Sequence, residues 1–449
     1  MSPLKSSKSD GPGSTTSLGK RRRKIKRRRS QSQTSTRGGA SGTDSGGSES
    51  PSPLSNPKSS DYGSQASSMR LVASSSELTK VAILGAAGGI GQPLSLLLML
   101  HSEYVQHLAL YDLVGMHGVG LDVSHVDRQC KVTTHQGPEE LAEAVKGAKV
   151  IVIPAGLAQK PGMTRDDLFA SNAKIMYNLA KVCAQTAPDA MLAIITNPVN
   201  SLVPLTCEVY QRFLAPNGSS QQQQQQQAQS KSPSPQSGKQ PSEGKVVFHD
   251  FFRRIFGVTT LDVVRASTLA AKSALFKSEP NGLFKDPAKI NIPVVGGHSG
   301  KTIIPLLSQT LPKIDKKQLT EDRATTLTLV ESIQQAGIEV LNAKKGRGSA
   351  TISMAYAACR FTISLLRAQQ GEQNIIECAY VKHQQPIVGD LDYFATPLVL
   401  GKDGYVKSMG LGKLMPFEQQ MVEEGSKELR TSVAKGEDFA KEHLSSEKP

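Results

Sequence analysis

Asp262 and Arg265 stand three residues apart in "GVTTLDVVRAS", and His298 follows a Val-rich run in "INIPVVGGHSGKTIIPL" with Gly296, Gly297 and Gly300 around it. A helix with Thr259 or Thr260 as its N-cap places Asp262 and Arg265 on one face. Taken singly, the pair reads equally well as a surface ion pair, and a lone histidine equally well as a packed core residue. Together the three types suit hydride transfer coupled to proton transfer on a small hydroxy acid. Histidine gives and takes a hydroxyl proton near neutral pH. A carboxylate partner, Asp262, fixes its tautomer and stabilises the imidazolium. A planar cation, Arg265, grips a substrate carboxylate with two parallel hydrogen bonds.

That chemistry asks for two more groups. A second cation should polarise the reacting carbonyl and arrive on a loop that closes over the site. Arg165 fits, beyond the Pro161-Gly162 hinge in "QKPGMTRDDL", within a mobile loop expected over residues 157–168. Asn197 in "IITNPVNS" sits at the end of an expected strand, where its amide reaches a substrate oxygen. Asn197-Pro198 reads equally as a simple turn.

A cofactor site lies upstream. "KVAILGAAGGIGQPLSLLLML" puts Gly85, Gly88, Gly89 and Gly91 between a strand and a helix. Small residues there let the backbone approach a pyrophosphate, whose charge the helix N-terminus favours. The spacing is GxxGxxG, and a tight turn without ligand accounts for glycines alone. Asp112 ends the next strand, "LALYD". A carboxylate there accepts from the adenosine ribose hydroxyls and repels a 2′-phosphate, so NAD is expected over NADP.

The elements that must hold these groups alternate. "KVAIL", "HLALYD", "KVTTH", "KVIVIPA" and "MLAIIT" are short β-branched runs separated by helical patterns, which implies a parallel sheet with helices on both faces. From residue 245 the pattern turns to longer helices, "TEDRATTLTLVESIQQAGIEVLNA" and "SATISMAYAACRFTISLL", then a hairpin at Asp403-Gly404 and a C-terminal helix. The expected organisation is a basic Ser/Gly/Pro-rich tail over 1–77, an α/β domain over 78–216, a Gln/Ser-rich insertion over 217–244 and a second, mixed α+β domain over 245–449. Tail and insertion lack the apolar residues needed to offset ordering entropy and are expected to be disordered.

Composition narrows the classes further. Of the net charge of +14, residues 1–68 carry +9, from 13 Lys/Arg against 4 Asp/Glu, so the basic character belongs mostly to the tail. Its run "KRRRKIKRRR", residues 20–29, suits nucleic acid, a nuclear import receptor or an anionic membrane, or is merely a solvated extension. A nucleic-acid-binding or scaffold protein acting through this tail is the competing class. The tail's bias also overlaps with organellar transit peptides, and Met69 offers an alternative start. Cys130, Cys183, Cys207, Cys359 and Cys378 form no metal-ligand spacing, so no metal and a reducing compartment are expected. The apolar run Leu94 to Leu100 is about a third of a membrane span.

The motifs "GAAGGIGQ", "LYD", "KPGMTRDDLF", "ITNPVNS", "FGVTTLDVVRA", "GGHSGKTIIPL", "GSATISMAYA" and "KGEDF" resemble the NAD-dependent malate dehydrogenases of the mitochondrial and organellar type, relatives of lactate dehydrogenase. The resemblance runs from about Lys80 to the C-terminus and implies a Rossmann-type domain, a mixed catalytic domain and a homodimer, with a tetramer as the alternative. It implies an organelle matrix or cytoplasmic enzyme. It further implies that Gly85, Ala86, Ala87, Gly88, Gly89, Ile90, Gly91, Asp112, Asn172, Ile195, Asn197 and Met354 bind NAD. Asp262 and His298 then form the proton relay, while Arg165, Asn197 and Arg265 hold substrate. One position departs. The family reads Arg-Lys-Pro-Gly at the start of the mobile loop, and that Arg grips the second carboxylate of malate. Here Gln159 stands in its place, as in lactate-type relatives that take substrates with an uncharged side chain. The expected substrate is malate/oxaloacetate, with a monocarboxylic 2-hydroxy acid as the alternative.

Overall fold

The computed structural model describes residues 78–158, 163, 165–214, 250–277 and 285–446. The expected tail, the Gln/Ser-rich insertion and Gln159 lie outside the described residues, and so does the Arg165 side chain.

The strands β1 (Lys80–Leu84), β2 (His107–Asp112), β3 (Lys131–Gln136), β4 (Val150–Ile153), β5 (Met191–Ile194) and β6 (Ile255–Val258) form a parallel sheet in the order β3-β2-β1-β4-β5-β6. The order reverses between β1 and β4, and ligands of such sheets bind outside the carboxyl ends at that point. The five runs read from the sequence are β1 to β5. β6 follows the insertion yet completes the parallel set, so the sheet does not stop at the expected boundary near residue 216.

Both faces of β1, β2, β4, β5 and β6 are buried, which is why these strands read as apolar runs, while the edge strand β3, KVTTHQ, has no buried residue. Neighbouring side chains point to opposite cores. Ala82, Leu84, Ile151, Ile153, Leu192 and Ile194 join one core, with α3 (Leu141–Val145), α4 (Arg165–Thr186) and α5 (Val199–Leu214). Val81, Ile83, Val150, Val152 and Ala193 join the other, with α1 (Gly91–Met99) and α2 (Met116–Ser124). Lys80 breaks the apolar pattern of β1. Its ammonium donates to the carbonyls of Glu143 (3.0 Å) and Lys146 (2.8 Å) at the end of α3, where a helix dipole favours a cation.

The second half adds α6 (Thr260–Lys272), α7 (Ala274–Lys277), β7 (Val294–Gly296), β8 (Ile303–Pro305), α8 (Lys316–Glu321), α9 (Arg323–Ala343), α10 (Ile352–Gln369), β9 (Ile376–Lys382), β10 (Tyr393–Gly401), β11 (Gly404–Ser408) and α11 (Pro416–Ser446). Its strands extend the same sheet antiparallel in the order β6-β9-β10-β7-β8, with β11 on β10. This is the expected α/β class: a Rossmann-type sheet followed by a mixed α/β part. The helix read through "TEDRATT" is two, because Asp322 turns its carboxylate onto the Thr325 amide and starts α9 afresh.

His383, after β9, gives this fold an acid-sensitive point. It is 4% exposed, and its Nε2 donates to the Phe394 carbonyl at 2.9 Å. Burial pushes its pKa down to about 4, with the Phe394 bond opposing. The unfolded chain therefore binds a proton from about pH 6.5 downward while the folded chain stays neutral until about 4. Stability is full above pH 6.5 and falls through that window, by on the order of 3 kcal/mol for this group. Urea melts between pH 7 and pH 4.5 check it: His383→Gln should flatten the slope, and an unchanged slope rejects the assignment.

Candidate active site

A cavity of about 640 Å³ opens where β1, β4 and β5 end, a volume that suits a ligand site. One wall is the glycine turn. Gly85 has φ +102°, and a Cβ there would lie 2.6 Å from Ala155 Cα. A Cβ on Gly91 would come 2.2 Å from the Gly85 carbonyl. The turn is thus a bare backbone cradle opening directly into α1, a form that fits a pyrophosphate. Gly85, Gly88, Gly89, Ile90 and Gly91 line the cavity, as do Ile195, Asn197 and Met354.

Asp112 lies at the end of β2, where its two oxygens accept from the Ala87 amide (3.0 Å) and the Leu113 amide (2.8 Å). An ionised carboxylate accepts about four hydrogen bonds, so lone pairs remain for ribose hydroxyls. Ala86, Ala87, Asp112 and Asn172 are not among the cavity's lining residues. Asn172 is fully buried in α4, and its amide is taken up by backbone. Oδ1 accepts from Leu157 N (2.8 Å), and Nδ2 donates to the carbonyls of Leu157 (3.1 Å) and Asn197 (2.7 Å). It ties the root of the 157–168 loop to the Asn197 segment.

The catalytic wall comes from the second half. Thr259 stands at the N-cap position of α6, although its hydroxyl donates to the Cys378 carbonyl instead of capping. One turn on, Asp262 is fully buried, with Oδ2 2.5 Å from His298 Nδ1 and Oδ1 3.7 Å from Arg265 Nη1. The helical spacing therefore makes no solvated surface pair. An ionised Asp262 only accepts, so Nδ1 carries the proton and Nε2 is left with its lone pair for the cavity that His298 lines. The fork of Arg265 lies against the same cavity, its side chain 15% exposed. Burial pulls the Arg265 pKa below its ordinary value, and the Asp262 charge opposes.

The glycines around His298 have local causes. Gly296 has φ +98°, with the Thr302 carbonyl 2.2 Å from where its Cβ would be. At Gly297 a Cβ would strike Thr302 Oγ1 (2.6 Å), Leu429 Cδ2 (2.7 Å) and Asn200 Nδ2 (2.8 Å). The loop passes too close to α5 and α11 for any side chain.

Arg165 is the first residue of α4, next in sequence to Asp166, which lines the cavity. The sequence reading missed the contribution of α11. Glu428, Ser432 and Lys435 line the cavity, and Lys435 pairs with Asp166 while lying 5.2 Å from the Phe169 ring centre. The only signal for it was "KGEDF", which begins at Lys435 and was given no role. Thr351 was also missed, lying 3.2 Å from where a Gly89 Cβ would be. Among the described residues no cluster of three or more His, Cys, Asp or Glu is placed to hold a metal. No described helix is long and apolar enough to cross a membrane.

Known proteins resemble this chain in both of its halves. Residues 79–222 match the lactate/malate dehydrogenase NAD binding domain, and residues 259–440 match the lactate/malate dehydrogenase alpha/beta C-terminal domain. The chain is 47% identical over 362 residues to the mitochondrial malate dehydrogenases of Felis catus and Sus scrofa, covering 81% of this chain and 92% of each relative. In fold it is similar to Cryptosporidium parvum malate dehydrogenase, with a TM-score of 0.61 at 20% identity over 81% of this chain and all of that one. It is similar also to a Cryptosporidium parvum lactate dehydrogenase solved with lactic acid and nicotinamide adenine dinucleotide, with a TM-score of 0.60 at 20% identity, covering 80% of this chain and 97% of that one. The chain belongs to the lactate/malate dehydrogenase family of NAD-dependent oxidoreductases.

Proposed function

We propose that this protein interconverts malate and oxaloacetate with NAD, His298 acting as the acid and base. The observation that carries the reading is the His298 Nδ1 to Asp262 Oδ2 contact of 2.5 Å, in one cavity with Arg265 and the glycine turn. Gly85 to Gly91 and Asp112 would hold NAD, whose nicotinamide would take or give the C2 hydride. The chain's own residues do the rest. Arg265 holds the carboxylate next to the reacting carbon. Asn197 donates to the reacting oxygen, and Arg165, at the start of α4, polarises it. In oxidation, His298 Nε2 accepts the hydroxyl proton as the C2 hydride departs, and Asp262 stabilises the imidazolium. In reduction the same proton returns to the carbonyl oxygen.

A second reading is a 2-oxo acid with an uncharged side chain. Gln159 supports it, and so does the apolar wall beside Arg265. A Gly337 Cβ would sit 3.6 Å from Arg265 Nη1, and the adjoining Ile338 is 46% exposed within the cavity. NADH oxidation with oxaloacetate, pyruvate and a bulkier 2-oxo acid separates the two. Malate use predicts the highest kcat/KM with oxaloacetate, and a higher value with pyruvate rejects it.

The mitochondrial relatives support an organelle matrix, and the resemblance supports a homodimer. The basic run 20–29 lies outside the described residues. The family supports no nucleic-acid role for it.

A further inference from the structure

We infer that Asn200 is a positioning residue that sets His298 against the substrate-binding Asn197 segment. This rests on His298 being the proton relay. Asn200 is 3% exposed, in the first turn of α5, three residues past Asn197. Its Oδ1 accepts from the His298 amide at 2.8 Å. Its Nδ2 donates to Ser299 Oγ at 3.2 Å and to Thr302 Oγ1 at 3.3 Å. Its carbonyl accepts from the buried Tyr380 hydroxyl of β9 at 3.3 Å. One side chain from the dinucleotide half thus fastens three residues of the histidine loop from the other half.

The proton directions at this joint select an amide. The His298 N–H can only donate, so an acceptor must face it. Thr302 Oγ1 already donates to the Ser299 carbonyl at 2.7 Å and accepts from the Ser299 amide at 3.1 Å. Ser299 Oγ donates to Glu428 Oε1 at 3.4 Å. The Thr302 hydroxyl proton is therefore committed elsewhere, and its oxygen offers position 200 only a lone pair. An aspartate of the same shape would keep the bond to His298 but turn a charged oxygen onto the Thr302 acceptor. It would lose both donor bonds and gain repulsion in a buried site.

The consequence for catalysis is geometric. Asn197 and Asn200 share one turn whose other edge is held by Asn172, so the substrate side and His298 are registered through the same few residues. A shift of this loop by about 1 Å moves Nε2 off the hydroxyl and is expected to lower the rate by roughly 100-fold.

The test uses the full chain with four variants, Asn200→Asp, Thr302→Val, Thr302→Ser and His298→Asn. Steady-state kinetics give kcat, the KM for NADH and the pH profile of kcat/KM, with thermal melts alongside. The inference expects Asn200→Asp and Thr302→Val to lower kcat by about 100-fold, with the KM for NADH unchanged. It expects Thr302→Val to displace the pH limb that His298→Asn removes. Thr302→Ser, which keeps the hydroxyl, should restore kcat to within about threefold of the parent. Unchanged kcat in Asn200→Asp and Thr302→Val overturns the inference. So does a loss that tracks the unfolded fraction and is shared by the KM for NADH, because that is plain destabilisation. Full turnover by His298→Asn instead overturns the proton-relay reading itself.

Discussion

Replacing His298 by asparagine is expected to lower kcat for NADH-driven 2-oxo acid reduction by about 10²–10⁴-fold, the range a positioned general acid contributes. Asparagine is similar in size and keeps a donor toward Asp262, but it does not carry a proton on and off near neutral pH. NADH affinity should stay near the parent value, because Asp112 accepts from the Ala87 and Leu113 amides while His298 bonds to Asn200 and Asp262 on the opposite wall. Asp262→Asn is expected to follow, with a loss of about the same order. Its amide accepts or donates toward Nδ1, so the proton is no longer held there and Nε2 no longer reliably carries the lone pair. The change also leaves Arg265 without the only carboxylate within 4 Å among the described residues. Stopped-flow NADH oxidation reads both effects directly: binding amplitudes persist while the rate collapses. A His298→Asn enzyme turning over within tenfold of the parent would rule out the relay.

The second large effect is expected at Gln159. Introducing arginine there gives the chain the cation that the resemblance to malate dehydrogenases assigns to the second carboxylate of malate. Leaving a desolvated carboxylate without its cation costs about 2–5 kcal/mol, or roughly 30- to several-thousand-fold in discrimination. The ratio of kcat/KM for oxaloacetate over pyruvate in Gln159→Arg should rise by a factor in that range. Most of the change should fall on oxaloacetate, whose second carboxylate the new guanidinium meets. If the parent already prefers oxaloacetate by several orders of magnitude and the variant does not move, another group reads that carboxylate. The role given to position 159 then fails.

How much of this was legible beforehand depended on range. The glycine turn, Asp112 at the end of β2, and the Asp262–Arg265 face of α6 are each written within one or two elements. Their chemistry follows from spacing, because a helix fixes its i,i+3 neighbours and a strand its last residue. Strands β1, β2, β4 and β5 were readable because burial on both faces leaves apolar runs, and the exposed edge strand β3 through its β-branched Val132, Thr133 and Thr134. β6 and β9 were not singled out. β6 is only four residues long and stands next to a low-complexity block, while the pattern of β9 becomes meaningful only once β6 and β10 flank it. The domain limits near 217–244 and the mobility of the 157–168 loop remain expectations from sequence.

The roles of α11 and Asn200 were out of reach for a different reason. Nothing in "KGEDF" says that Lys435 meets Asp166, 269 positions earlier, and nothing in "NPVNS" says that Asn200 meets His298, 98 positions later. The sequence by itself determined the chemistry: a titratable imidazole, a carboxylate to orient it, a planar cation for an acid, and a backbone cradle for a dinucleotide. Tertiary structure alone decided that His298 stands 2.5 Å from a carboxylate with no exposed surface, and which amide holds it there. Residue type and short spacing fix what a group does. Only the closing of long loops, driven by burial of the two cores, fixes which groups meet.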